Sequence, residues 1–154
     1  MELTPGEITV VRPKAWSMWT ELRRDGEVIA TLSSPRFFGR SITAHAAGKA
    51  YVLTKGGARA LKARLRERGE KEDIIVLDYT GASRGRFGLG GDEYELFQTE
   101  SGSWELHSCD SGHILTVLQD INDHSQGKIV VDIADKDLLL LLLLSWFAIR
   151  ALEC

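Results

Sequence analysis

A pattern of glycine and serine in the middle of the chain matches a catalytic motif. Gly81–Gly85 fits the G-x-S-x-G nucleophile elbow, with Ser83 as the nucleophile. Acids and histidines later in the chain could supply a triad. They are Asp110, Asp120, His113 and His124. The elbow needs a helix directly after its serine, and the glycine-rich stretch 85–91 is a poor helix former. The sequence therefore predicts a turn between strands and no enzymatic activity. A small serine hydrolase using Ser83 is the alternative.

Two histidines and a cysteine surround a second predicted turn. His107 and Cys109 share one face of a strand, and His113 follows just across the turn. Zinc binds such side chains, but a structural zinc site needs a fourth ligand and usually more cysteine. His45 or His124 would have to come from elsewhere in the chain. We therefore predict polar hairpin residues here, with no metal site and no cofactor.

A row of basic residues is the most suggestive surface feature of the sequence. Only Glu67 opposes these cations locally. In a strand, alternate residues of this row project from one face and could meet lipid phosphates, each cation contributing about 1 kcal/mol near an anionic leaflet. The alternative is a solvated face that pairs with acids from the second half of the chain. The predicted binding residues are Arg59, Lys62, Arg64, Arg66 and Arg68.

The secondary structure of this basic segment is ambiguous from sequence. Its residues are mostly good helix formers, but Leu61, Ala63 and Leu65 alternate with charged residues as they would in a strand. Strand-like runs recur at intervals of about ten residues on both sides of it. We therefore predict that residues 59–68 form a strand.

Composition predicts one soluble domain spanning residues 1–154. The net charge of −3 argues against general nucleic-acid binding. The charge is uneven, since residues 1–77 sum to +5 and residues 78–154 to −8. Such polarity can orient a protein at an anionic surface.

Met1–Pro5 shows no secretion signal, and two cysteines do not suggest a disulfide framework, so we expect a cytoplasmic protein, either free or peripheral to a membrane.

Short apolar runs separated by turn residues fill most of the chain. Alternating segments flank turn signals such as Asp25-Gly26 and Ser101-Gly102. Counting residues 59–68, this rhythm predicts about twelve strands between roughly residues 7 and 134.

The last part of the chain is of a different kind. Seven consecutive leucines, Leu138–Leu144, begin an uninterrupted apolar run that predicts a helix over about residues 137–151. Asp135 and Asp137 precede it as an N-cap and a first-turn acid, and Arg150 suits its C-terminal end. Such a helix is either enclosed by protein or inserted in a membrane. A span needs about 20 apolar residues, so the shorter run favours enclosure, with a membrane anchor as the alternative.

The predicted number of strands is consistent with the predicted apolar helix. An eight-stranded barrel is filled by its own side chains, whereas a larger one can hold a central helix. The predicted fold is therefore mainly β, a closed barrel of about twelve strands enclosing the hydrophobic C-terminal helix.

Several segments together resemble the tubby C-terminal-like superfamily, which includes tubby domains, phospholipid scramblases and LURP-one-related proteins. The resemblance covers nearly the whole chain and is one of pattern. It rests on Arg24–Leu32, Asp92–Leu96, Trp104–Leu106, Gly127–Asp132 and Asp137–Leu152. It implies a twelve-stranded barrel threaded by a hydrophobic C-terminal helix, and is closest to short LURP-one-related or bacterial-type members.

The resemblance also implies a class of function. Tubby domains bind phosphoinositides through surface lysines and arginines, and scramblases act at membranes. We therefore expect a non-enzymatic module that binds anionic phospholipid or phosphoinositide headgroups, or a protein partner.

Overall fold

A computed structural model of the chain describes residues 5–14, 19–33, 41–56 and 61–152. These residues form twelve strands followed by one helix. The strands are β1 Gly6–Val11, β2 Trp19–Arg24, β3 Glu27–Ser33, β4 Ser41–Ala46, β5 Lys49–Gly56, β6 Lys62–Glu67, β7 Ile75–Gly81, β8 Arg84–Leu89, β9 Asp92–Gln98, β10 Trp104–Ser108, β11 Gly112–Gln119 and β12 Gly127–Val131. The helix, α1, is Leu138–Leu152.

The strands form one closed antiparallel barrel in which each strand pairs with its neighbours in sequence. The barrel closes where β1 pairs with β12, with Ile8 opposite Ile129. Closure removes the unpaired edges that an open sheet exposes. The predicted twelve-stranded closed barrel is therefore confirmed.

Two tight turns show how local sequence sets the strand pairing. Asp25 and Gly26 join β2 to β3 with φ angles of 52° and 82°. Ala47 and Gly48 join β4 to β5 with φ angles of 51° and 76°. Positive φ at both central residues fits the right-handed twist of the flanking strands. Asp-Gly is common at the two central positions of such turns, whereas alanine at the first central position, as in Ala47, is unfavourable.

Most of the described part of the ambiguous basic segment forms a strand, β6, as predicted, and Arg68 lies in the turn after it. Ala63 and Leu65 have no exposed surface and point into the barrel, while Lys62, Arg64 and Arg66, which alternate with them, point outward. Alternation along β6 therefore follows the two-residue period of a strand. Arg59 lies outside the described residues.

The helix fills the barrel interior. Leu141, Leu144, Ala148 and Ile149 are completely buried, and they pack with inward residues of the strands in one continuous core. Burial on every side explains why the helix has no polar face. The enclosed position predicted for the leucine run is confirmed. Among the described segments, none forms a helix long and apolar enough to cross a membrane.

Side chains form hydrogen bonds with backbone groups at both ends of α1. Asp135 Oδ1 accepts a 2.8 Å hydrogen bond from Asp137 N, which agrees with the predicted capping role of Asp135. Asp137 precedes the first helical turn, since α1 begins at Leu138. At the other end, Lys55 Nζ on β5 donates to the carbonyl oxygen of Ala151 at 2.5 Å. This bond satisfies one of the last carbonyl groups, which have no partner within a helix.

Candidate functional site

The basic row lies on the outer surface of the barrel. Lys62, Arg64 and Arg66 alternate with the buried residues of β6 and therefore share its outer face. Arg68 follows directly in the turn after β6 and is exposed. The structure thus brings together four of the five predicted binding residues, and the fifth, Arg59, lies outside the described residues.

The first two cations of the row are paired with acids on and before β7. Lys62 Nζ lies 3.0 Å from Asp78 Oδ1, and Arg64 Nη1 lies 3.1 Å from Asp73 Oδ2. The Lys62 and Arg64 side chains are 36% and 41% exposed, so solvent screens both pairs. These pairs reduce the net positive charge at this end of the row.

Arg66 and Arg68 differ from the first two cations. Both are exposed, and no carboxylate in the described part of the chain forms an ion pair with either guanidinium. The guanidinium group remains charged at all physiological pH values and can bind phosphate through two parallel hydrogen bonds. Among the described members of the row, these two arginines are therefore the best placed to bind an external anion.

Apolar side chains lie beside Arg66 on the same outer face. Val52 on β5 is directly opposite Arg66 in the strand register. On the other side, Ile74 N donates a 2.7 Å hydrogen bond to the carbonyl oxygen of Leu65. Ile75 points inward, so Ile74 points outward, where it is 36% exposed. Arg66 thus lies between two aliphatic residues, a combination suited to an interface between water and hydrocarbon.

The neighbouring strands β8 and β9 show a different arrangement of charge. Glu95 Oε2 lies 3.6 Å from Arg84 Nη1 and 3.4 Å from Arg86 Nε. The Arg84 guanidinium also lies 5.6 Å from the ring centre of Phe97. These arginines therefore already have partners, which makes them a natural comparison for Arg66 and Arg68.

Ser83 does not lie in a nucleophile elbow. It is exposed in the turn between β7 and β8, and a strand follows it where an elbow requires a helix. A Cβ atom on Gly85 would lie 2.6 Å from Leu77 Cδ2, so barrel packing explains that glycine. The predicted turn is confirmed, and the resemblance to G-x-S-x-G follows from hairpin geometry.

The two histidines of the predicted hairpin come together on the outer face of β10 and β11. Their ring centres are 5.1 Å apart. Glu105 lies between them, with Oε1 2.9 Å from His107 Nε2 and 3.7 Å from His113 Nε2. Cys109, the third residue considered from sequence, is exposed at the turn and is not part of this cluster.

Glu105 belongs to this group although it was not among the candidate ligands predicted from the sequence. Glu105 and His107 are two residues apart on β10 and therefore share one face of the strand. That spacing was the available signal for an acid beside the histidine.

Two tyrosines, Tyr94 buried and Tyr79 partly buried, connect the barrel wall to the central helix. Tyr94 Oη donates to Asp135 Oδ2 at 3.1 Å, and Tyr79 Oη donates to the carbonyl oxygen of Ala148. Burial raises the pKa of Tyr79 well above its usual value. Burial and the nearby Asp135 carboxylate raise the pKa of Tyr94 in the same direction. Both phenols therefore stay neutral and act as hydrogen-bond donors.

Comparisons of the chain with protein-family models, curated proteins and solved structures found no significant match.

Proposed function

We propose that this protein is a non-enzymatic binding module whose β6 face contacts the headgroups of anionic phospholipids. The proposal rests on Arg66 and Arg68, two exposed arginines with no ion-pair partner in the described part of the chain. Guanidinium groups recognise phosphate by paired hydrogen bonds. Lys62 and Arg64, which are paired with acids, play a smaller part.

The surroundings of Arg66 support a membrane surface as the target. Val52 and Ile74 flank this arginine on the outer face. A soluble phosphate ligand would gain little from these aliphatic neighbours. At a membrane, they can contact the boundary between headgroups and acyl chains while the arginines bind phosphate.

The distribution of charge around the barrel gives further support. Because neighbours in sequence are neighbours in the barrel, β1 to β6 lie on the opposite side of it from β7 to β12. The described residues up to 77 carry 11 Lys and Arg against 8 Asp and Glu, a net of +3, and the described residues from 78 onward carry 5 against 12, a net of −7. The basic side would face an anionic surface and the acidic side would face away from it.

The tubby-like resemblance is part of the same proposal. A twelve-stranded barrel around a hydrophobic C-terminal helix is the arrangement that the resemblance implies, and phosphoinositides are the ligands that it suggests. Anionic lipids are concentrated in cytoplasmic leaflets, so the proposed location is cytoplasmic and peripheral to the membrane. A protein partner with an acidic surface is the second kind of ligand that this face could accept.

Two observations favour this proposal over the alternatives. Ser83 lies in a hairpin turn, which does not support a serine hydrolase. The leucine helix is enclosed in the barrel, so it is not exposed as an anchor.

The test is sedimentation with vesicles of phosphatidylcholine, with and without phosphatidylserine or a phosphoinositide. The wild type should bind the anionic vesicles, and binding should fall as salt rises, because exposed charges are screened over about 10 Å at 0.1 M. The double variant Arg66→Glu/Arg68→Glu should lose binding, and its circular dichroism should remain that of the wild type.

The matched control is Arg84→Glu/Arg86→Glu, which makes the same change in net charge on β8. This variant should retain most of the binding, because those arginines are already paired with Glu95. Equal loss of binding in both variants would show a net-charge effect with no specific surface. No binding of wild type at low salt would overturn the proposal.

A further inference from the structure

Three side chains with metal-binding atoms converge on the outer face of the β10–β11 hairpin. Glu105, His107 and His113 each offer one ligand atom, and these three atoms all lie within 4.8 Å of one another. The side chains are between 29% and 37% exposed, so solvent reaches the group from one side. Nothing in the proposed lipid-binding surface uses these residues, since that surface lies on β6.

A β-bulge is responsible for this convergence. Leu106 pairs with Leu115 and His107 pairs with His113, so β11 contains one extra residue between these two pairs. Ile114 and Leu115 are both fully buried, which leaves His113 and Thr116 on the outer face. In a regular strand His113 would share the inward face of Leu115. Bulges often occur where a side chain must be redirected to a functional site.

A second carboxylate orients one of the histidines. His113 Nδ1 lies 2.6 Å from Asp132 Oδ2, a distance at which Nδ1–H donates to the carboxylate. Neutral His113 then has its lone pair on Nε2, the atom nearest Glu105. The pairing of a histidine with a carboxylate behind it is a common arrangement around protein-bound zinc.

We propose that Glu105, His107 and His113 bind one divalent transition-metal ion, with Zn²⁺ as the preferred ion. Zinc bonds of about 2.0–2.2 Å place neighbouring ligand atoms roughly 3.3 Å apart in a tetrahedron. Glu105 Oε1 lies 2.9 Å from His107 Nε2 and 3.7 Å from His113 Nε2. One distance is slightly shorter and the other slightly longer than this tetrahedral separation of ligand atoms.

Binding would require small local changes. The metal would replace the 2.9 Å contact between His113 Nε2 and Thr116 Oγ1. It would also require His107 to carry its proton on Nδ1. Three protein ligands leave one position of the tetrahedron open to water or an external anion, as in zinc sites that bind substrates.

Isothermal titration of untagged protein with ZnCl₂, in a buffer that does not chelate zinc, tests the proposal. We expect one ion per chain, and thermal denaturation should show a higher melting temperature with Zn²⁺. His107→Gln and His113→Gln should each weaken binding by at least tenfold, and Glu105→Gln should weaken it in the same direction. Asp132→Asn should weaken it by about 10- to 100-fold, since it removes the orienting carboxylate.

Two controls separate this site from other sources of zinc binding. His45→Gln removes an exposed histidine on β4 and should leave the titration unchanged. Cys109→Ser should also leave it unchanged, because that thiol is outside the cluster. Loss of binding in Cys109→Ser, binding that survives both histidine variants, or no saturable binding by wild type would each overturn the proposal. In the last case, the cluster would be a network of surface hydrogen bonds alone.

Discussion

The phenol of Tyr79 donates a 2.8 Å hydrogen bond to the carbonyl oxygen of Ala148, which joins β7 of the barrel wall to the last turns of the central helix. Tyr79→Phe should lower the free energy of unfolding by about 0.5–1.5 kcal/mol, the usual net contribution of such a bond. Urea denaturation followed by circular dichroism measures the difference. Tyr51→Phe is the control, because the structure gives the Tyr51 hydroxyl no hydrogen-bond partner among the described residues. An equal loss in both variants would contradict the assigned role of Tyr79.

Stability should also fall at alkaline pH. The raised pKa values of Tyr79 and Tyr94 mean that these phenols ionise in the unfolded chain at lower pH than in the folded protein. Their contribution to stability is fully present below the usual tyrosine pKa near 10 and is lost as pH rises through the folded-state values. Urea denaturation at a series of alkaline pH values should show this decline, and Tyr79→Phe should make it less steep. A stability that is constant above pH 10 would contradict the prediction.

A buried hydroxyl in α1 should be replaceable with a gain in stability. Ser145 has no exposed surface, and its Oγ has no hydrogen-bond partner in the structure. Ser145→Ala should therefore raise the free energy of unfolding by about 1 kcal/mol, since an unsatisfied buried polar group is costly. Ser108 is the matched comparison, because its buried hydroxyl donates to Asp92 and accepts the backbone N–H groups of Asp110 and Ser111. Ser108→Ala should be destabilising, so the two variants should shift the urea midpoint in opposite directions.

The two glycines of the hydrolase-like pattern should respond differently to substitution. A Cβ atom on Gly85 would lie 2.6 Å from Leu77 Cδ2 inside the barrel, whereas one on Gly81 would meet no atom within 4 Å. Gly85→Ala should cost about 1–3 kcal/mol, as overpacking of a core usually does. Gly81→Ala should change stability much less. Thermal denaturation of both variants measures the contrast, and similar melting temperatures would show that the core accommodates the extra methyl group.

Replacing Ala47 by glycine should make the protein more stable. Its φ angle of 51° is in the left-handed region, which costs non-glycine residues roughly 1–2 kcal/mol. Ala47→Gly should therefore stabilise the protein by about 0.5–1 kcal/mol after the entropy lost by glycine is included. Ala50→Gly, in the neighbouring strand β5, should have the opposite effect. Chemical denaturation of the pair gives the sign of each change.

The fold was largely predictable from sequence because two strong patterns agreed. The leucine run is too short to span a membrane, which favoured enclosure, and a large barrel can supply a wall on every side. The basic segment was ambiguous, since its residues favour helix. Ala63 and Leu65 settle the choice, because both must point into the same interior.

The binding surfaces were less predictable because they depend on pairing between strands. The ion pairs of Lys62 and Arg64 depend on the positions of Asp78 and Asp73 across the β6–β7 pairing, which local sequence does not fix. The grouping of His113 with Glu105 depends on the bulge at Ile114. The adjacent apolar pair Ile114-Leu115 is compatible with a bulge but also with an ordinary buried strand.

The order of elements along the chain has a consequence for synthesis. Every strand of the barrel wall precedes α1, so the wall leaves the ribosome before the helix that fills it. Until then, inward residues such as Leu53, Leu77 and Leu106 have no central partner to pack against. Exposed apolar surface of this kind is what chaperones bind and what promotes aggregation. The strands of the wall therefore expose this apolar surface until the leucine run has been made.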